Sequence, residues 1–125
     1  HAETLKDIPK AIQLAEQKNV KLFIALNPET QINIVKPYLD TLHGVLVMTV
    51  NPGQYGAKFL PEQLEKARIL RKLKPSLEIE VDGGMNQKTI GLALESGANQ
   101  FASGSYIMKN ESPERAYMSL LKLVS

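Results

Sequence analysis

The chain has 125 residues, 43% of them apolar and 22% charged, with a formal net charge of +2; this is an ordinary globular mixture, long enough for one core and too apolar for disorder. Lysines and acids are interleaved without a block of like charge, so no footprint for nucleic acid or membrane is present, and the absence of cysteine excludes disulfides, thiolate nucleophiles and thiolate zinc sites. No apolar run approaches a membrane span and the first residues lack the pattern of a secretory signal, so a cytoplasmic location is expected.

Two periodicities alternate along the chain. Ile8, Ala11, Ile12 and Ala15 recur at helical spacing, and Leu22-Phe23-Ile24-Ala25-Leu26 follows as an unbroken apolar run, the pattern of a strand buried on both faces. A weaker helical stretch from Ile32 to Leu39, interrupted by Pro37, leads to a second strand, Val45-Leu46-Val47-Met48-Thr49-Val50, which ends at Asn51-Pro52-Gly53. A helix is predicted from Pro61, suited to a first turn, to Leu73, with Leu64, Ala67 and Leu70 buried and Pro75 as its stop. Leu77 to Val81 reads as a strand, Ile90, Ala93, Leu94 and Gly97 lie at helix spacing, and Phe101-Ala102-Ser103 is a short strand. Ser112-Pro113-Glu114 is the cap and first turn of a last helix, whose apolar stripe is Tyr117, Leu120, Leu121 and Val124.

The order is one helix followed by four βα units, with no linker or low-complexity segment, so residues 1–125 read as a single α/β domain. Alternating β and α with apolar strands implies parallel pairing through right-handed crossovers. A small open sheet and half of an eight-stranded barrel both satisfy that pattern.

Polar and glycine-rich residues concentrate after the strands: Asn27-Pro28-Glu29-Thr30, Asn51-Pro52-Gly53, Asp82-Gly83-Gly84 and Ser103-Gly104-Ser105. Parallel α/β folds bind ligands at that edge, where helix N-termini and unpaired backbone N–H groups converge. In Asp82-Gly83-Gly84, consecutive glycines let the backbone approach an anion while the aspartate projects a carboxylate into the strand-end cleft. The alternative is that Asp82 caps the helix near Asn86 or Lys88 and the glycines only turn the chain. Gly104-Ser105 offers a second backbone cradle on the next strand, and His43 reads as structural or exposed.

Beyond these local readings, the motifs His1-Ala2-Glu3, Ala25-Leu26-Asn27-Pro28-Glu29-Thr30, Val47-Met48-Thr49-Val50-Asn51-Pro52-Gly53, Lys58-Phe59-Leu60-Pro61, Glu80-Val81-Asp82-Gly83-Gly84 and Ser103-Gly104-Ser105 together resemble the ribulose-phosphate 3-epimerase family. They occur in that family's order along the whole chain. The resemblance implies the C-terminal half, strands five to eight, of a ribulose-phosphate-binding (β/α)8 TIM barrel, from the end of strand four through helix eight. It implies an isomerase of carbohydrate metabolism in the pentose phosphate pathway, interconverting D-ribulose 5-phosphate and D-xylulose 5-phosphate by metal-assisted proton transfer at C3. The alternatives are an allulose 6-phosphate 3-epimerase or a non-catalytic sugar-phosphate-binding half-barrel.

Residue by residue, the resemblance makes Asp82 a catalytic acid–base group and a metal ligand. Met48 becomes either a polarizable wall of the reaction centre or core packing. Gly53, Gln54, Tyr55 and Gly56 become the substrate-covering loop, and Gly83, Gly84, Gly104 and Ser105 the phosphate site. One divalent ion (zinc, iron or manganese) is implied, with its other ligands on a missing half, so the isolated chain is expected to be inactive. A phosphorylated ketose is the implied partner, and a homo-oligomer is expected because half a barrel leaves strand edges open. His1 corresponds to a strand-four residue outside the ligand set, and Lys58 reads as a solvated or loop-packing lysine rather than a catalytic one. The family's usual loop, Gly-Phe-Gly-Gly-Gln-Lys-Phe, here reads Gly53-Gln54-Tyr55-Gly56-Ala57-Lys58-Phe59, a change that bears on loop closure and sugar preference.

Overall fold

A computed structural model describes residues 1–53 and 56–125. Helix α1 (Ile8–Gln17) begins where the Asp7 side chain accepts a hydrogen bond from the Lys10 N–H at 2.9 Å, with a proline in its first turn, and it buries Ile8, Ile12 and Ala15. Strand β1 (Phe23–Leu26) follows. The weak helical stretch becomes two 3-10 turns, Ile32–Ile34 and Lys36–Tyr38. Pro37 has no N–H to donate into an α ladder, and only short turns survive that loss.

Strand β2 runs Gly44–Met48, ending two residues earlier than the apolar run: the Thr49 N–H still donates to the Asp82 carbonyl at 2.8 Å, but the Thr49 carbonyl accepts from the Leu60 N–H instead of from a neighbouring strand. A 3-10 turn at Pro61–Gln63 leads into helix α2 (Leu64–Leu73), which buries Leu64, Ala67 and Leu70 as the spacing predicts. Strand β3 (Glu78–Asp82), helix α3 (Ile90–Glu95) and strand β4 (Gln100–Ala102) complete the alternation. Helix α4 (Ser105–Met108) is a single turn, too short to leave a periodic signal, and helix α5 spans Pro113–Val124. Within α5 the expected stripe is only partly covered: Ala116 and Leu120 are buried, whereas Tyr117 and Leu121 are exposed. Leu94 on α3 is exposed too.

The sheet has the order β1-β2-β3-β4 and every neighbouring pair is parallel. On one face Ile24, Leu26, Val45, Val47, Ile79 and Val81 are buried and share one core with Leu64, Leu70, Ile90 and Leu120. Each such side chain withdrawn from water contributes about 1.5–3 kcal/mol. The register aligns Phe23, Gly44 and Glu78, then Ala25, Leu46, Glu80 and Gln100, then Met48, Asp82 and Ala102 on the other face. Of these only Gly44 and Met48 are buried; the rest are half-exposed. Burial of the strands on both faces, expected from their apolar runs, is therefore not met by the described residues.

The outer edge of β1 is not bare. The Ala2 N–H donates to the Ala25 carbonyl at 2.9 Å, and the turn formed by the first residues sits against it. Among the described residues no helix is long and apolar enough to cross a membrane.

Candidate functional site

Parallel pairing brings all four strand C-termini to one edge. A cleft of about 230 Å³ opens there between three consecutive strand ends. Val50, Gly56 and Ala57 line it from the segment after β2, Asp82, Gly83, Gly84 and Met85 from the end of β3, and Ala102, Gly104 and Ser105 from the end of β4. A larger groove of about 550 Å³ lies on the outside of α5, by Gln87, Arg115 and Lys122. It holds neither a carboxylate nor a glycine turn, so chemistry rather than size singles out the strand-end cleft.

Both glycines after Asp82 are required by the backbone. Gly83 has φ +121° and Gly84 φ +68°, and a Cβ at Gly83 would stand 2.6 Å from Val50 Cγ2. Among the described residues the N–H groups of Gly83, Gly84, Gly104 and Ser105 find no protein acceptor. Four unpaired amides around one cleft form a concavity that favours an anion.

Among the described residues the Asp82 side chain caps no helix. In the turn before α3 it is Asn86 whose Oδ1 accepts, from the N–H groups of Lys88 at 2.8 Å and Thr89 at 3.2 Å, while the Thr89 hydroxyl donates to the Gly84 carbonyl at 2.6 Å. Asp82 is left half-buried at the cleft, and burial pushes its carboxyl above the ordinary 3.8. Glu80, two residues back on the same face, is raised likewise, by burial and then by the Asp82 charge.

Met48 pairs in register with Asp82 and is buried, but it does not line the cleft. Gly53 is exposed and lies outside it as well, at φ +83°. Gln54 and Tyr55 lie outside the described residues. Lys58 and His43 are exposed, as expected.

A second polar network, which local sequence patterns do not reveal, holds the loop after β1. One Glu3 carboxylate oxygen accepts from the Asn27 N–H at 2.9 Å and from the Thr30 hydroxyl. From the other side Lys66 Nζ, on α2, donates to the carbonyls of Asn27 at 2.8 Å and Pro28 at 2.9 Å. Burial alone would raise the Glu3 carboxyl; the hydrogen bonds from Thr30 and Asn27 outweigh it and hold the group below its ordinary 4.5. Nothing in local spacing links residues 38 or 39 positions apart, so no signal in the sequence could have found this network.

Among the described residues no group of three His, Cys, Asp or Glu side chains stands close enough to hold a metal ion. Asp82 offers one carboxylate, and His1 faces Glu3 at 3.5 Å instead. The donor set for the implied divalent ion is therefore incomplete in these residues.

The sequence profile of the ribulose-phosphate 3 epimerase family matches residues 1–108. The ribulose-phosphate 3-epimerase of Schizosaccharomyces pombe is 38% identical over 120 residues, which cover 96% of this chain and 53% of that protein. The cytoplasmic isoform from Oryza sativa subsp. japonica is 41% identical over 128 residues, 99% of this chain and 56% of that protein. The chain thus spans about half the length of the curated relatives it matches. Among solved structures, a 3-hexulose-6-phosphate synthase superposes with a TM-score of 0.71 at 18% identity, covering 92% of this chain and 55% of that one. A 3-keto-L-gulonate-6-phosphate decarboxylase from Vibrio cholerae gives 0.68 at 17% identity, covering 90% and 52%. These two likenesses are of fold alone.

Proposed function

The chain belongs to the ribulose-phosphate 3-epimerase family, and from that premise we propose that it forms strands five to eight of a (β/α)8 barrel that interconverts D-ribulose 5-phosphate and D-xylulose 5-phosphate. The observation that carries this reading is the single cleft joining the Asp82 carboxylate to the unpaired amides of Gly83, Gly84, Gly104 and Ser105.

The phosphate of a ketose phosphate sits against those four amides, where each charge-assisted bond contributes about 1.5–3 kcal/mol net of the water it replaces. Anchoring that end fixes the distance of the reacting carbon from Asp82. The proton beside a ketone is only weakly acidic, and a carboxyl raised by partial burial is better matched to taking and returning it near neutral pH than an ordinary aspartate. Inversion also needs an acid–base group on the opposite face of the substrate, which the described residues do not place in this cleft. Gly56 and the segment after β2 cover the sugar, with Met48 packed beneath the floor next to Asp82. Asp82 would supply one ligand to a divalent ion whose other ligands lie elsewhere in the protein.

A six-carbon substrate, allulose 6-phosphate, is the second reading, supported by the small Ala57 side chain in the cleft wall. The relative kcat/KM of the two sugar phosphates decides between them. In a complete protein carrying this chain, Asp82→Asn is expected to lower epimerisation at least roughly 100-fold, with a matching fall in solvent-deuterium exchange at the substrate carbon. Exchange near the wild-type rate would remove Asp82 from the mechanism. Phosphate binding without turnover by the complete protein would leave only the non-catalytic reading.

A further inference from the structure

Thr49 is fully buried, at 0% exposure, one residue past the end of β2. Val47, two residues before it on the same side of the strand, and Val81, the register partner of Val47, are apolar and buried, and a valine would match the volume of Thr49 there. A buried hydroxyl is costly unless bonded, and this one is bonded on one side only. The Thr49 hydroxyl donates to the Gly83 carbonyl at 2.7 Å and lies 3.1 Å from the Asp82 carbonyl, which also accepts the Thr49 N–H at 2.8 Å.

Two successive carbonyls are thereby drawn toward β2. All peptide bonds described are trans, so the N–H of each unit points opposite to its carbonyl. Turning the carbonyls of Asp82 and Gly83 toward Thr49 turns the N–H groups of Gly83 and Gly84 away from it, on the side of β4 and the cleft. The Thr49 carbonyl in turn accepts the Leu60 N–H at 2.8 Å. One residue therefore bonds both to the turn that carries Gly83 and to Leu60, three residues after the cleft-lining Ala57.

We propose that Thr49 is the positioning residue of the anion cradle: its hydroxyl holds the Gly83 peptide in the orientation that presents the Gly84 amide to the phosphate of the substrate. This rests on the functional reading above and deepens it. Thr49 touches no substrate atom; it acts through Gly83 and Gly84.

The test is a titration of the isotopically labelled 125-residue chain with inorganic phosphate, read at the amide resonances of Gly83 and Gly84. Thr49→Val, which keeps shape and removes the donor, is expected to weaken phosphate binding roughly tenfold, the equivalent of about one misaligned hydrogen bond. Thr49→Ser, which restores the donor, is expected to return the affinity to within about threefold of wild type. A purely packing role predicts the reverse order, because serine leaves a methyl-sized void and valine does not. Wild-type affinity in Thr49→Val overturns the positioning role alone. Absence of phosphate-induced shifts in the wild-type chain overturns both this role and the cradle itself. Should Thr49→Val not fold, the wild-type hydroxyl proton carries the test: a slowly exchanging Thr49 proton that shifts on phosphate addition is expected, and one exchanging at the solvent rate overturns the proposal.

Discussion

Asp82 shows how position sets the behaviour of a single residue. Its carboxyl is raised by burial and by no hydrogen bond, so the folded chain holds that proton to higher pH than the unfolded chain does. Stability therefore falls as pH climbs from about 3.8 through the raised folded value, and above that window the ionised group is a burden on the fold. Asp82→Asn is accordingly expected to leave the melting temperature at pH 7 unchanged or slightly higher, with the difference vanishing in acid. The carboxyl is only partly buried, so the gain is small. A clear fall in melting temperature at pH 7 would show that the carboxylate has a structural partner after all. Glu3 behaves in the opposite sense: the same kind of group, given two donors, is held low rather than high.

Among elements, α2 does most to hold the strand-end and strand-start edges in place. Lys66 reaches from it to the loop after β1, and one turn later Arg71 reaches to the opposite end of the sheet. The Arg71 guanidinium donates to the carbonyls of Gly97 at 2.9 Å, Pro75 at 2.7 Å and Leu77 at 2.7 Å, tying the end of α2 to the turn into β3 and the turn after α3. Gly97 sits at φ +95°, and a Cβ there would stand 2.9 Å from the Arg71 stem, so the glycine and the arginine fit as a pair. Arg71→Ala leaves part-buried carbonyls unpaired and is expected to cost about 2–3 kcal/mol. Arg71→Lys is expected to recover less than half of this, because one ammonium does not reproduce the guanidinium fork. Chemical denaturation of the three chains measures both; an Arg71→Ala chain as stable as wild type would make these bonds incidental.

At the scale of the whole molecule the open sheet face dominates. Phe23, Ala25 and Leu46 are half-exposed on it, beside Glu78, Glu80 and Asp82. At about 25 cal/mol per Å², an apolar area of several hundred Å² left in water amounts to several kcal/mol, comparable with the stability of a domain. The 125-residue chain by itself is therefore expected to self-associate through this face, most simply as a two-fold dimer. The row of carboxylates opposes that contact while ionised. Since burial raises both Glu80 and Asp82, whereas hydrogen bonds from Gln100 and Asn99 hold Glu78 low, association should strengthen as pH falls into the raised range where Glu80 and Asp82 take up protons. Sedimentation velocity at neutral and at mildly acidic pH tests this, and a monomer under both conditions would show that the face needs no cover.

The alternation of helix and strand, the parallel order and the strand-end location of the polar loops were determined by the sequence alone, because hydrophobic period and glycine placement are local properties. Asp82, Gly83 and Gly84 were legible for the same reason, as one short motif with one chemistry. Only the tertiary structure decided which face of the strands is covered. An apolar run such as Val45-Leu46-Val47 reads identically whether one side or both find a partner, and here Leu46 stays half-exposed while its neighbours are buried. Tyr117 and Leu121 lie on the apolar stripe of α5 yet are exposed, for the same reason: periodicity shows that a helix has an apolar stripe, not whether anything packs against all of it. The positioning contacts were likewise invisible beforehand. Thr49 meets Gly83 across 34 positions and Lys66 meets Asn27 across 39, distances along the chain that only the parallel register and the packing of α2 bring to hydrogen-bond length.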